Sequence, residues 1–465
     1  MRLPLLFGIA RANLEYNSTR QMSDNPFTYI HHSGDLVSLV PSGKLFGEKL
    51  RKYFQNQITN SAHYASVFQK LGLDSTHPPM EILGEIPPTT KEVYRETLQL
   101  ESLSRLNESS FVTDYSSGST ADSVLRMCAL PDDLAEQSVT ESAFAAVGMG
   151  PGDHFICMEI GAIDIYDFYF RAARNLGVDH TSFLHLTQDY EKSCAPLFSL
   201  RPTILLTVPS ILIRAWPVIS NYWMGEDCPI RTVIHMGEPM HDSFRREVEC
   251  QWNCQVRSFY GTTETGGIGV DCEYKTGIHF DPRFILPTLE SAKPISKYEY
   301  EGEVLFTTLH IRTQSVIKYR VGDRVRLDTK ICPCGNTNPR LTFLERTHEA
   351  FMIAGDKFTH AMILEGLQES APDLPLANLV IEDLDPKLGD ALLRVQLPDS
   401  YQKMEAKFLY TLEKDIFELD ALHRYGLVKF QLEFLPIDKI PGRKMTKVRD
   451  NRLHMRQDSR LTQPD

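Results

Sequence analysis

Between residues 43 and 75 apolar side chains recur at near-helical spacing: Leu45, Leu50, Tyr53, Phe54 and Ile58 share a stripe, and HYASVFQKLGLD continues it. A Pro-rich turn follows, then IPPTTKEVYRE, where Thr89 or Thr90 offers a hydroxyl to cap a short helix. From 111 to 345 short apolar runs alternate with amphipathic stretches. HFICMEIG (154–161), PTILLTVPS (202–210), RTVIHMG (231–237) and QVRSFYG (255–261) read as strands. TESAFAAVGMG, DIYDFYFRAARNLG and DSFRREVECQWN read as the helices between them. Such alternation predicts α/β layers around a largely parallel sheet.

After about residue 278 the texture shifts to EGEVLFTTL, SVIKYRVGD and RVRLD, short strands with tight turns that predict a β-rich subdomain over about 278–345. Near 345–350 it shifts again, and the rest alternates helix and strand on a smaller scale. The expected architecture is α/β, with a large N-terminal domain over 1–345 and a small α+β C-terminal domain over 346–465.

The 465 residues exceed what one compact core holds, in keeping with more than one domain. Lys and Arg total 49 against 61 Asp and Glu, a net charge of −12. That balance argues against a nucleic-acid surface but leaves nucleotide binding open, since a few amides and one or two cations suffice there. Nine scattered cysteines suggest free thiols in a reducing, cytoplasmic setting, with room for a metal site. No apolar run approaches the roughly 20 residues that span a bilayer. MRLPLLFGIARA faintly imitates a leader, with Arg2, a short apolar run and an Ala-Arg-Ala triplet, but the run is short and its basic start a single residue, so a buried or docking segment is expected.

The densest chemistry lies in RSFYGTTETGG (257–267), a strand entering a Gly-rich turn that presents Thr262, Thr263 and Glu264 beside Tyr260. Amides and hydroxyls suit phosphate, a carboxylate suits Mg²⁺, and an aromatic face suits a base. SSGST (116–120) places Ser116, Ser117, Ser119 and Thr120 around Gly118, able to wrap a phosphate, although no Gly-Lys-Ser/Thr follows as in a P-loop. In YRVGD (319–323), Asp323 is an acceptor-only carboxylate able to take both vicinal ribose hydroxyls. In PGRKMTKVRD (441–450), Lys444 offers a point charge to phosphate. Each of these also has a plain reading as a polar turn or solvated loop. Cys332 and Cys334 of ICPCGNTNPR, with Cys272 and His279 of DCEYKTGIH, supply three sulfurs and an imidazole, a donor set for closed structural Zn²⁺. Cys250 and Cys254 read as buried free thiols.

In this order the motifs resemble the phenylacetate–coenzyme A ligase family, a branch of the adenylate-forming enzymes, over about residues 45–452. HYASVFQKLG and IPPTTKEVYRE resemble its N-terminal signature, SSGST its phosphate loop and ILLTVPS its substrate-side strand. MGEP (236–239) resembles its adenine-side segment, and FYGTTETGG its Tyr-Gly-x-Ser/Thr-Glu motif. KYRVGD, CPCGNTNPRL and ERTHEAFMIAGDKF follow the family order.

The resemblance implies two steps. A carboxylate attacks the α-phosphorus of Mg·ATP, giving an acyl-adenylate and pyrophosphate; a thiol, usually coenzyme A, then displaces AMP. It implies that Ser116, Ser117, Ser119 and Thr120 hold pyrophosphate, that Gly237, Glu238, Pro239 and Tyr260 line adenine, and that Thr263 meets the α-phosphate. Glu264 would coordinate Mg²⁺, Asp323 would accept the ribose hydroxyls, and Arg346 would stand near the nucleotide at the domain junction. Lys444 would bridge carboxylate and phosphate from a mobile small domain that withdraws between half-reactions. Cys272, His279, Cys332 and Cys334 match zinc ligands of some members. An aromatic acid is the favoured substrate, and Phe168, Tyr169 and Phe170 either line its pocket or pack in the core.

Three departures stand out. The phosphate loop lacks its second Gly and its Lys, reading Ser119-Thr120-Ala121-Asp122-Ser123, so Asp122 sets a negative charge where pyrophosphate would lie. His348 occupies the usual Asp position of the hinge, and Arg443 the Gly before the lysine. The acceptor stays open among coenzyme A, a carrier-protein thiol and an amine, as does a homodimer. The altered loop keeps a non-catalytic nucleotide- or partner-binding descendant in view.

Overall fold

The computed structural model describes residues 25–104, 111–115, 124–159, 163–187, 189–223, 227–237, 240, 242–346, 350–354, 356–372, 374, 377–385, 390–436, 439–440 and 448–452. The expectations for the N-terminal dozen residues lie outside these. Among the described residues, thirteen strands join in one sheet.

Five parallel strands form one end, in the order His180–His185, His154–Glu159, Ile204–Thr207, Thr232–His235 and Gln255–Thr262. Ile204–Thr207 and Thr232–His235 are buried at every position, as expected of strands covered on both faces. Their covers include Leu130–Ala146, Ile163–Asn175, Pro209–Ile219 and Asp242–Trp252. Gly266–Asp271 then turns back antiparallel on Gln255–Thr262 and leads through Ile278–Phe280 and Arg340–Arg346 to Tyr319–Asp328, Glu299–Thr308 and Ile285–Ser296. Tyr319–Asp328 alternates buried and half-buried, the signature of a sheet with one packed face.

The sheet is therefore mixed, and the β-rich stretch is hydrogen-bonded edge to edge with the parallel strands. It also takes in a hairpin, Phe27–His31 with Val37–Pro41, that the apolar pattern did not announce. Gly269 permits the seam: a Cβ there would collide with the carbonyl of His279 on the neighbouring strand.

The helices Lys44–Asn60 and Ala62–Leu71 pack beneath the antiparallel half. Leu50, Tyr53 and Phe54 are buried as the stripe predicts, but Leu45 is 82% exposed and Phe46 is buried instead. The buried phase runs 46, 50, 53, 54, 57, and Leu45 starts the helix on the opposite side. Thr90, not Thr89, is the N-cap, accepting from the Val93 N–H at 3.3 Å. Thr89 instead bonds the chain to the next sheet strand, donating from Oγ1 to the Ile317 carbonyl at 2.7 Å and bridging in parallel to Tyr319.

A separate four-stranded sheet follows, in the order Val428–Leu435, Asp390–Pro398, Asn378–Asp385 and Val448–Asp450, packed with helix His360–Ser370. Arg214, on the helix Pro209–Ile219, links the two sheets' layers. It pairs with Asp390, donates to the Gly426 carbonyl at 3.0 Å and to the Tyr190 hydroxyl at 2.8 Å. Among the described residues no helix is long and apolar enough to cross a membrane.

Candidate functional site

The turn that joins Gln255–Thr262 to Gly266–Asp271 carries Thr263 and Glu264, both half-buried. Inside it the Thr262 and Thr265 hydroxyls lie 2.9 Å apart, and the Thr265 N–H donates to Thr262 Oγ1 at 3.2 Å. Gly266 has φ +73°, and a Cβ there would strike the Glu136 carboxylate, so the turn can lie directly over that group. Glu136 is buried and paired with Arg126, which donates from Nη1 at 3.2 Å. The strand bearing Arg126 is held by Gln314, which accepts from the Met127 N–H at 2.6 Å and donates to the Leu125 carbonyl at 3.1 Å.

Two carboxylates meet two phenols here. The Tyr319 hydroxyl donates to Glu264 Oε1 at 2.7 Å. The Tyr260 hydroxyl donates to Asp323 Oδ2 at 2.8 Å, and both residues of that pair are buried. Burial, with the Glu264 charge adding to it, holds the Tyr319 phenol well above its ordinary pKa, so it remains a donor. Tyr260 is braced edge-on by Phe343, with centroids 4.5 Å apart. Asp323 follows Gly322, whose φ of +77° lies not in the expected turn but inside the strand Tyr319–Asp328, where the pairing with Glu299–Thr308 slips register; Asp323 stands opposite Arg346 across the sheet. Gly237, at φ +82°, ends the strand Thr232–His235.

Hydrogen bonds thus join Tyr260 of Gln255–Thr262 to Asp323 of Tyr319–Asp328, and Glu264 to Tyr319 of that same strand, with Thr263 beside Glu264 in the turn. Ser116, Ser117, Ser119, Thr120, Ala121 and Asp122 lie outside the described residues. So do Glu238, Pro239, His348, Lys444 and the side chain of Arg346. Tyr319, Arg126 and Glu136 were not anticipated. Tyr319 stands inside YRVGD, where only the aspartate had an evident role; Arg126 and Glu136, a buried opposite-charge pair ten residues apart, left no signal in the pattern. The aromatic trio resolves toward the core reading for Tyr169, which is buried against Phe144 and Phe259, and for Phe170, edge-on to Phe155. Phe168 lies over the Arg171 guanidinium.

At the far end of Gly266–Asp271 the four predicted metal donors converge. The ligand atoms of Cys272, His279, Cys332 and Cys334 all lie within 4.8 Å of one another. Cys272 and Cys332 sulfurs are 3.6 Å apart, and Cys334 Sγ is 3.5 Å from His279 Nε2. A tetrahedral zinc would separate two thiolates by about 3.8 Å, and a thiolate from an imidazole by about 3.6 Å, so the donor set fits. His279 Nδ1 donates to the Asn338 carbonyl at 3.1 Å, which turns Nε2 toward the sulfurs. Burial lowers the His279 pKa and favours the neutral ring a ligand requires. Of the other pair, Cys254 is buried as expected but Cys250 is exposed.

No family model matches the chain. Among curated proteins it is similar to phenylacetate-coenzyme A ligases. It is 28% identical to that of Escherichia coli strain K12 over 147 residues, 30% of this chain and 33% of that protein. For Aromatoleum evansii the figure is 26% over 220 residues, 44% of this chain and 48% of that protein. The matched stretches thus span between a third and a half of these relatives' length. Solved structures extend the likeness. A 2-hydroxyisobutyryl-CoA ligase, in complex with 2-HIB-AMP and CoA in its thioesterification state, superposes with TM-score 0.70 at 17% identity, over 88% of this chain and 89% of that one. The same ligase in its postadenylation state gives 0.56 over 87% and 89%. The amide bond synthetase McbA from Marinactinospora thermotolerans gives 0.51 at 16% identity, over 71% and 66%. The sequence resemblance is thus to phenylacetate–coenzyme A ligases, and the fold is that of the adenylate-forming coenzyme A ligases.

Proposed function

We propose that the chain is an AMP-forming acid–thiol ligase that activates a carboxylic acid, of aromatic type, with ATP and passes the acyl group to coenzyme A. One observation carries the reading: Glu264 and Asp323, from segments nearly sixty residues apart, are each held by a buried phenol, Tyr319 on Glu264 and Tyr260 on Asp323, with Tyr319 and Asp323 on one strand. The names of the curated relatives and the 2-HIB-AMP and CoA bound to the structural neighbour support it.

In the first step the acid's carboxylate oxygen bonds to the α-phosphorus while the bond to pyrophosphate breaks. Glu264 holds Mg²⁺, which would supply charge neutralisation on the phosphates. Thr263 meets the α-phosphate, Asp323 accepts the ribose hydroxyls, and Tyr260 with Gly237, Glu238 and Pro239 lines the base. Ser116, Ser117, Ser119 and Thr120 hold the departing pyrophosphate, and Lys444 bridges the two reacting anions. In the second step the coenzyme A sulfur bonds to the acyl carbon, AMP leaves, and the thiol proton passes to solvent. Residues 1–345 and 346–465 act as the two lobes, with Arg346 and His348 at the hinge. Cys272, His279, Cys332 and Cys334 hold one structural Zn²⁺, and nine unbridged cysteines suit the cytoplasm.

Pyrophosphate exchange into ATP over a panel of carboxylic acids tests the first step; a thioester mass after adding coenzyme A tests the second. Exchange abolished in Lys444→Ala is expected. ATP binding without exchange for any acid would favour the non-catalytic reading that Asp122 keeps open. Likeness to an amide bond synthetase supports a second reading, transfer to an amine, which an amide product in place of the thioester would establish.

A further inference from the structure

Glu264 sits half-buried in a turn, on a side chain with three rotatable bonds, yet the proposed chemistry needs its carboxylate fixed. What fixes it comes from another strand. Tyr319 is 2% exposed, and its hydroxyl reaches Glu264 Oε1 at 2.7 Å. The phenol has little freedom. Its ring packs edge-on against buried Tyr94, with centroids 5.7 Å apart. Its backbone is clamped by the Thr89 segment: Thr89 N–H donates to the Lys318 carbonyl at 3.1 Å, and Arg320 N–H to the Thr89 carbonyl at 3.0 Å. One residue earlier, the Ile317 N–H donates to the Tyr64 hydroxyl at 2.9 Å, and the buried Lys318 ammonium donates to the Gly84 carbonyl at 3.1 Å.

We infer that Tyr319 is a positioning residue: its phenol occupies Oε1 of Glu264 and leaves Oε2 as the oxygen that meets the metal of metal–ATP. Among the described residues Oε2 has no hydrogen-bond partner, so the two oxygens are already unequal. A carboxylate restricted to one oxygen suits a small octahedral cation such as Mg²⁺ or Mn²⁺, whereas Ca²⁺ readily takes both. Tyr319 therefore does two things: it sets the carboxylate's direction, and it disfavours the bidentate grip of a larger ion. This rests on the reading that Glu264 is the metal ligand.

The test is Mn²⁺ binding to the full-length protein in the presence of ATP, followed by electron paramagnetic resonance, with Ca²⁺ as competitor. Tyr319→Phe is expected to weaken Mn²⁺ by about 10-fold, the lower end for loss of an outer-shell partner. The KM for Mg·ATP should rise in step, and Ca²⁺ should compete better relative to Mn²⁺. Tyr94→Phe removes an equally buried hydroxyl from the same ring pair and should leave all three unchanged. Glu264→Asp, which draws the carboxylate away from the phenol, should match Tyr319→Phe, with no further loss in the double variant. Wild-type Mn²⁺ affinity in Tyr319→Phe or in Glu264→Asp, equal losses in Tyr94→Phe, or additive losses in the double variant would overturn the inference while leaving the ligand reading intact. Unchanged Mn²⁺ binding in Glu264→Gln would instead remove the ligand reading, and the inference with it.

Discussion

The strand Gly266–Asp271 has a site at each end, and the two are built on opposite principles. At one end Cys272, Cys332 and Cys334 from two short loops and His279 from the strand Ile278–Phe280 already stand at ligand spacing. At the other, about 20 Å away by strand rise, Glu264 and Asp323 each have one oxygen held by a tyrosine, and the residues expected to finish the site lie on other segments. A structural ion is never released, so its donors can enclose it fully. On the proposed function a nucleotide would have to enter and leave the other site, so the framework presets only the half that stays still. The difference makes clear predictions: damage at the turn should cost chemistry and spare the fold, and damage at the cluster should do the reverse.

The largest effect belongs to Glu264→Gln. Pyrophosphate exchange should fall about 10³-fold, while unfolding free energy stays within about 0.5 kcal/mol of wild type. A collapse of stability with the activity would erase the contrast between the two ends. Next comes Cys332→Ser. Zinc measured on the purified protein should drop from one equivalent per chain to none, with a loss of about 3 kcal/mol, the scale of a lost covalent cross-link. Mn²⁺–ATP affinity should barely change, because the sites are too distant to couple strongly. A folded wild-type protein free of zinc would refute the cluster's role.

Acid should expose the same asymmetry from beneath the turn. His310 is buried with Nδ1 donating to the Phe284 carbonyl at 3.0 Å, and Nε2 has no partner among the described residues. Arg126, Asp132 and Lys49 are the charges that face it, and burial lowers its pKa from 6.5 to about 4. Between those values the unfolded chain binds the extra proton, so stability is fully present above pH 6.5 and drains away as pH falls toward 4. The contribution lost between pH 7 and 5 is about 2 kcal/mol. Urea titrations at the two pH values should show that loss in wild type and not in His310→Phe.

What the sequence made legible follows from where each signal is stored. Motifs kept in one short run, such as YGTTETGG, YRVGD and CPCG, could be assigned because spacing along the chain fixes spacing in space. The cluster pairs two such runs sixty residues apart, and its donor chemistry was enough to join them. The parallel strands were legible because both faces are buried and the runs are continuously apolar. Tyr319 was not, since a tyrosine in a strand reads as packing; only the folded chain reveals the carboxylate it serves, in a turn some fifty-five residues earlier. Arg126 and Glu136 hide for the same reason. The hairpin Phe27–Pro41 was missed because its outer strand is half exposed and carries no strong alternation. Leu45 misled because periodicity gives a stripe but not which neighbour begins it.

The smallest effect sharpens the comparison most, because it divides the turn end itself. Tyr260 and Tyr319 both donate to a carboxylate, and on the proposed function the two carboxylates would face different parts of the nucleotide. Tyr260→Phe removes the donor at Asp323 Oδ2 and keeps the ring that Phe343 braces. Losing one hydrogen bond to a charged group should weaken ATP about tenfold. The loss should be specific to the sugar. Asp323, without that bond, should discriminate less between ATP and 2′-deoxy-ATP, so the ratio of their affinities should shrink in the variant. Mn²⁺ competition with Ca²⁺ should stay as in wild type, since Tyr319 and Glu264 are untouched. If Tyr260→Phe instead altered the metal preference and left the ribose ratio alone, the two phenol–carboxylate pairs would form one coupled unit, and the division of labour drawn between them would have to be abandoned.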